Sequence, residues 1–190
     1  MTVPVRPSAM RSQNLARLAA PVAGVIATVV ALVAFGASAR ADALKVGDRL
    51  AEFDAATDAN GKPVKLKAYK GKWVVVTIGA SWCKPCAKEL PVWDKVAGEV
   101  KDKVVFVAID VDDDAAVGKR FHDKLKLRNM QRVYLSPNSA VAASYGSEAM
   151  PSTFVADDKG VVRLVRARFE EGDPDGEYRK FKDQLAKLVK

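Results

Sequence analysis

Trp73-Val74-Val75-Val76-Thr77-Ile78-Gly79-Ala80-Ser81-Trp82-Cys83-Lys84-Pro85-Cys86 is the stretch on which the reading of this chain turns. Its first six residues are all β-branched or aromatic, the composition of a central strand buried on both faces. Gly79-Ala80-Ser81 breaks the run. Beyond it Cys86, Leu90, Trp93, Val96, Ala97 and Val100 recur at three- and four-residue spacing, which predicts an amphipathic helix. Pro91 falls inside that pattern and is expected to kink it, having no N–H to donate. Cys83 and Cys86, the only cysteines of the chain, therefore stand where a strand hands over to a helix.

A helix N-terminus presents free N–H groups and a partial positive charge, and both favour a thiolate over a thiol. The thiolate is the nucleophile of thiol–disulfide exchange. A structural bridge is the plainer alternative, but closing so short a loop restrains the unfolded chain very little. Structural zinc usually takes four protein ligands, and two cysteines and one histidine, His122, do not supply them. No metal site and no cofactor is expected. In the redox reading Cys83, nearer the helix start and solvent, attacks, and Cys86, one turn further in, resolves. Pro85 stiffens the turn between them. Lys84 adds a cation that favours the thiolate, with an ordinary solvated lysine as the alternative. Trp82 is expected to form an apolar rim over the disulfide, with core packing as the competing reading.

Glu89 follows Cys86 by three residues, within the stripe that holds Trp93 and Val96. Partial burial there raises a carboxyl pKa and suits it to take a proton from Cys86 near neutral pH. Compensation of the helix dipole is the simpler role for such a glutamate. His122 lies off the apolar stripe of its own helix and is expected at the surface.

Outside this core, Asn60-Gly61 supplies the turn of a hairpin, with Pro63 to Leu66 as a short strand. Val104 to Ile109 reads as a second buried strand, closed by Asp110, Asp112, Asp113 and Asp114, the latter aspartates capping a helix with Val117, Phe121 and Leu125 on one face. A strand (Arg132 to Leu135), a short helix (Ser139 to Tyr145), and strands at Thr153 to Ala156 and Val161 to Arg166 follow. A last helix starts at Pro174, capped by Asp173. Strands alternating with helices, then two strands joined at Asp157-Asp158-Lys159-Gly160, predict a three-layer α/β domain with a mixed central sheet.

The N-terminus is of another kind. Arg6, Arg11 and Arg17 precede any acid, and Leu18 to Ala39 is uncharged and mostly apolar. Small-x-small patterns at Ala37-Ser38-Ala39 and Ala39-Arg40-Ala41 suit a signal peptidase. The apolar run is also about the ~20 residues needed to span a bilayer. Residues 1–41 are therefore expected to be a signal peptide or membrane anchor and 42–190 the folded domain, held outside the cytoplasm because the basic leader stays inside. The net charge of +8 is scattered without any aromatic or motif context for nucleic acid.

These blocks together resemble the thioredoxin superfamily, and specifically its extracytoplasmic TlpA/ResA-like branch. Lys45-Val46-Gly47-Asp48, Asn60-Gly61-Lys62-Pro63-Val64, Ala80-Ser81-Trp82-Cys83-Lys84-Pro85-Cys86, Glu89-Leu90-Pro91, Tyr145-Gly146, Met150-Pro151-Ser152-Thr153-Phe154 and Asp158-Lys159-Gly160 are similar to its landmarks in order and spacing. The resemblance implies a thioredoxin-like α/β/α sandwich with an N-terminal β-hairpin extension, and a periplasmic or otherwise extracytoplasmic oxidoreductase acting on protein thiols and disulfides. It implies a proton-handling role for Glu89. It also implies a cis Met150-Pro151 bond facing the cysteines, with Met150 backbone groups left free to pair with an extended substrate. A membrane electron donor or acceptor, and apocytochrome cysteines in c-type haem protein assembly, are partners the family implies. Thr77-Ile78-Gly79 departs from the family's frequent Asn-Phe-Trp, and Thr77 stands where cytoplasmic thioredoxins bury an aspartate. Ser152 replaces a common threonine. Rival readings are a copper carrier on the same fold, a peroxide reductase and a redox-inert binding module. Copper carriers of that type space their cysteines by three and add a distal histidine, whereas this chain offers a spacing of two and His122.

Overall fold

In a computed structural model, which describes residues 43–100 and 102–189, Trp73–Gly79 forms strand β1 at the centre of a five-stranded sheet. The leader expected over residues 1–41 lies outside the described residues. Alternation along β1 explains its continuous apolar sequence. Val74, Val76 and Ile78 enter one core with Phe53, Tyr145 and Phe154, while Val75 enters a second with Trp93, Phe106 and Phe181. Both faces are covered, so neither needs polar residues.

The strands run in the order β3-β2-β1-β4-β5. β2 (Val104–Asp110) lies parallel to β1 and β3 (Gln131–Tyr134) parallel to β2; β4 (Ser152–Ala156) and β5 (Val162–Arg166) are antiparallel. Helices α1 (Lys84–Val100) and α4 (Pro174–Leu188) pack on the second core. The short α3 (Ala140–Ser144) and the lead-in before β1 pack on the first. α2 (Ala115–Lys124) connects β2 to β3. Two caps are those read from the sequence, with Ala116 N–H donating to Asp114 at 2.8 Å and Gly176 N–H to Asp173 at 2.9 Å; Ser139 caps α3, accepting from Ala142 N–H at 3.0 Å. α1 runs on through Pro91.

The fold is thus the mixed-sheet α/β sandwich the sequence predicts, with a reduced hairpin. The Asn60-Gly61 turn is present, Gly61 having a φ of 76°, but the pairing is a single bridge, Thr57 with Pro63. Thr57 also exchanges both backbone hydrogen bonds with Tyr134, at 3.0 and 2.8 Å. The Leu66 N–H goes to the Glu52 carboxylate, and Leu66–Tyr69 coils into a 3-10 turn. The strand expected to reach Leu66 gives way because its amide is taken from the side.

His122 corrects the sequence expectation. It is fully buried, its ring 5.7 Å from that of Phe121 and 5.5 Å from that of Tyr134. α2 sits at the sheet edge, where Phe121 enters the second core and the next residue packs on β3, so two adjacent positions are both covered. Neither ring nitrogen has a hydrogen-bond partner among the described residues. Burial pushes the imidazole down from 6.5 to about 4. Its folded pKa lies below its unfolded one, so its contribution to stability is complete above pH 6.5 and drains away as pH falls towards 4. His122→Phe should therefore gain about 2.5 kcal/mol on wild type between pH 7.5 and pH 4.5. Urea unfolding at the two pH values measures it, and a pH-independent difference would refute the assignment.

Candidate active site

Cys83 immediately precedes α1. Its N–H bonds to the Ala80 carbonyl at 3.0 Å, and the Cys86 N–H points at the Cys83 sulfur from 3.3 Å. The sulfur thus occupies the place of an N-cap oxygen, accepting from an N–H of the first turn. Cys83 and Cys86 form a disulfide with an S–S distance of 1.99 Å and Cα atoms 5.3 Å apart. Cys83 keeps 6% of its surface exposed and Cys86 none. Of the two residues only Cys83 reaches solvent. Gly79 lies directly beneath the second: a Cβ there would stand 3.3 Å from the Cys86 sulfur, so glycine lets α1 settle close on β1.

The turn bearing the cysteines is tied to the neighbouring strand. Ser81 donates twice to Asp112, from its N–H at 2.9 Å and its hydroxyl at 2.8 Å. Asp112 in turn donates its N–H to buried Asp110 at 3.1 Å. Burial pushes the Asp110 carboxyl up to about 7. Asp112 gives no sign of this task in the sequence, where the acidic cluster reads only as helix caps. The signal lies in topology: Gly79 and Asp110 are register partners at the ends of adjacent parallel strands.

Glu89 is 1% exposed and faces the sheet. The Thr77 hydroxyl donates to Oε2 at 3.0 Å and the Thr153 hydroxyl to Oε1 at 3.1 Å. Thr153 also lies 3.0 Å from the Thr77 hydroxyl and accepts from the Trp93 indole N–H at 3.2 Å. This closed ring satisfies both charge states of the carboxyl. With Glu89 ionised, both hydroxyls donate to it. With Glu89 protonated, its O–H donates to Thr153, which donates to Thr77, which donates back to Glu89. Burial pushes Glu89 up from 4.5 to about 7, against the opposing pull of hydrogen bonds from Thr77, Trp93 and Thr153. Thr77, an oddity in the sequence, is one of the two hydroxyls that hold the carboxyl. Thr153 carries no sequence signal of its own; it becomes visible only as the register partner of Thr77 across β1 and β4.

The Met150-Pro151 bond is cis. It leads into β4, whose first residue pairs with Ile78. Trp82, Cys83, Lys84 and Pro85 form one wall of an open cleft of about 390 Å³, and residues Ser147 to Met150 form the other. Neither backbone polar group of Met150 has a partner among the described residues. Trp82 is 65% exposed, which rules out core packing and leaves its indole as the rim of the cleft. Lys84 is exposed and Pro85 half-buried. Among the described residues no group of three or more His, Cys, Asp or Glu side chains is placed to hold a metal ion.

A C-x-x-C disulfide at a helix start, on this sheet and across a cleft from the Met150 of a cis Met150-Pro151 bond, defines the class: a thioredoxin-like thiol–disulfide oxidoreductase. The chain belongs to the AhpC/TSA family, whose model matches residues 46–165. It is 30% identical over 128 residues to the thiol-disulfide oxidoreductase ResA of Bacillus cereus, covering 67% of this chain and 72% of that one. ResA of Bacillus thuringiensis is 33% identical over 107 residues, which are 56% of this chain and 61% of that protein. The thioredoxin domain of a thiol-disulfide oxidoreductase from Bacteroides vulgatus superposes with a TM-score of 0.64 at 22% identity, over 78% of this chain and 100% of that domain. That last likeness shows the shared fold.

Proposed function

We propose that this protein exchanges its Cys83–Cys86 disulfide with cysteines of other proteins outside the cytoplasm. The observation that carries the reading is a single reachable sulfur, Cys83, at a helix start and on the wall of an open cleft. Starting from the dithiol, the Cys83 thiolate attacks a substrate disulfide. One substrate sulfur leaves as a thiolate and takes up a proton, and a mixed disulfide remains. Cys86 gives its proton to the Glu89 carboxylate and attacks the Cys83 sulfur, expelling the second substrate thiolate, which is protonated in turn. Two electrons pass to the substrate and the protein disulfide closes. Run backwards, the same steps oxidise a substrate dithiol. An extended substrate lies along the cleft, with Trp82 as its apolar rim and the free Met150 backbone groups pairing with it as an added strand would. Lys84 and Pro85, between the sulfurs, tune the potential.

The basic, apolar leader supports an extracytoplasmic setting, with release by a signal peptidase or retention in the membrane. Among the described residues no helix is long and apolar enough to cross a bilayer. The TlpA/ResA resemblance supports work as a reductant, with apocytochrome cysteines as substrate and a membrane donor restoring the dithiol. Equilibration in glutathione and dithiothreitol buffers, followed by alkylation and mass spectrometry, tests the reading. The pair is expected to titrate as one two-electron couple, and a potential well below that of glutathione marks a reductant. A pair that stays oxidised throughout would make this a redox-inert module. Rapid peroxide consumption or tight copper binding by the dithiol would replace the proposed chemistry.

A further inference from the structure

Arg166 ends β5, and its register partner in β4 is Thr153, one of the two hydroxyls that hold Glu89. Its side chain is only 8% exposed, a rare place for a guanidinium. The guanidinium carbon lies over the Trp93 ring, 5.5 Å from its centroid, and 5.6 Å from that of Phe181. One terminal nitrogen donates to Gln184 at 2.7 Å and the other to the Glu177 carboxylate, both on α4. Glu177 is itself 8% exposed. A structural clip between α4 and the sheet would need no more than this. Two further facts give the pair another task. The ring beneath Arg166 is the one whose N–H holds Thr153. The positive charge of Arg166 also favours the Glu89 carboxylate.

We propose that Arg166 is a positioning residue for the exchange reaction, its charge tempered by Glu177 so that Glu89 stands ready to take the proton of Cys86. This rests on the reading of Glu89 as proton acceptor. Burial without a cation would leave Glu89 protonated at neutral pH and unable to accept. A fully unpaired cation would hold it ionised but too weakly basic. The buried Arg166–Glu177 pair supplies an intermediate field, where a base matched to working pH is most effective. The groups of the hydrogen-bonded ring around Glu89, Thr77, Thr153 and Trp93, are neutral.

The test is carbon NMR of the oxidised full-length protein carrying 13C-labelled glutamate, the Glu89 signal being identified by its loss in Glu89→Gln. The pH profile of the exchange rate is measured beside it. Arg166→Gln should move the Glu89 midpoint and the acid limb of the rate up by about one pH unit. Glu177→Gln, an isosteric change, should move both down. Arg166→Lys keeps the charge and should stay near wild type in midpoint while losing stability with the fork and the stacking. Opposite shifts are the signature, because a merely structural clip would weaken in the same sense whichever partner is removed. Unmoved midpoints, or shifts in one common direction, overturn the proposal. Should Arg166→Gln fail to fold, Glu177→Gln alone decides by the sign of its shift. A flattened Glu89→Gln profile beside unmoved Arg166→Gln and Glu177→Gln midpoints removes only Arg166 from the mechanism. An unchanged Glu89→Gln profile removes the proton-acceptor reading, and this proposal with it.

Discussion

Cys83→Ser is expected to abolish reduction of insulin disulfides by dithiothreitol-fed protein, whereas Cys86→Ser should accumulate mixed disulfides with its partners. The asymmetry follows from the two sulfurs' positions. Cys83 has the remaining solvent exposure, the cleft and the first-turn N–H that stabilises its thiolate. Without it no covalent intermediate forms, and the rate should fall to that of dithiothreitol alone. Cys86 is enclosed, with Gly79 pressed beneath it. It reaches no substrate directly, so its loss leaves the first attack intact and removes the intramolecular escape. Non-reducing electrophoresis of Cys86→Ser mixed with a disulfide-bearing protein should show one adduct that dithiothreitol dissolves. Wild-type turnover by Cys83→Ser would end the reading, and adducts formed by Cys83→Ser in place of Cys86→Ser would reverse the roles.

Much of the fold is legible in the sequence because its strongest signals are local. The β-branched run of Trp73 to Ile78, the helix stripe from Cys86 to Val100 and the capping residues Asp114 and Asp173 each act within a few residues. What escaped depends on contacts between distant segments. His122 is buried because β3 closes over α2, and nothing within α2 announces that. At Gly118 of α2 a Cβ would fall 1.9 Å from an Asp110 oxygen, so the glycine admits a buried carboxyl from β2. The same holds at the site. The cysteines and Pro151 are written in short motifs, while the groups that hold Glu89 come from β1 and β4, and Arg166 from β5. Those residues meet only once the register of the sheet is set.

Glu89→Gln should slow resolution of the mixed disulfide on the order of 100-fold at pH 7, the usual loss when a positioned base is removed. In the wild type the rate should rise through about pH 7 as Glu89 ionises, since only the carboxylate can take the Cys86 proton. In the variant that inflection should vanish, leaving only the rise due to Cys86's own ionisation. Stability should move the other way. The folded pKa of Glu89 lies above its unfolded value of 4.5, so the stability it lends is complete below pH 4.5 and is lost as pH rises through about 7. Glutamine resembles the protonated acid: its carbonyl accepts from one threonine and its NH2 group donates to the other, so the ring of hydroxyls stays satisfied without a buried charge. The variant should therefore melt several degrees above wild type at pH 8 and close to it at pH 4.5. Slower exchange in a more stable protein separates a working base from a structural glutamate, whose loss would lower stability at every pH and leave the inflection where it was.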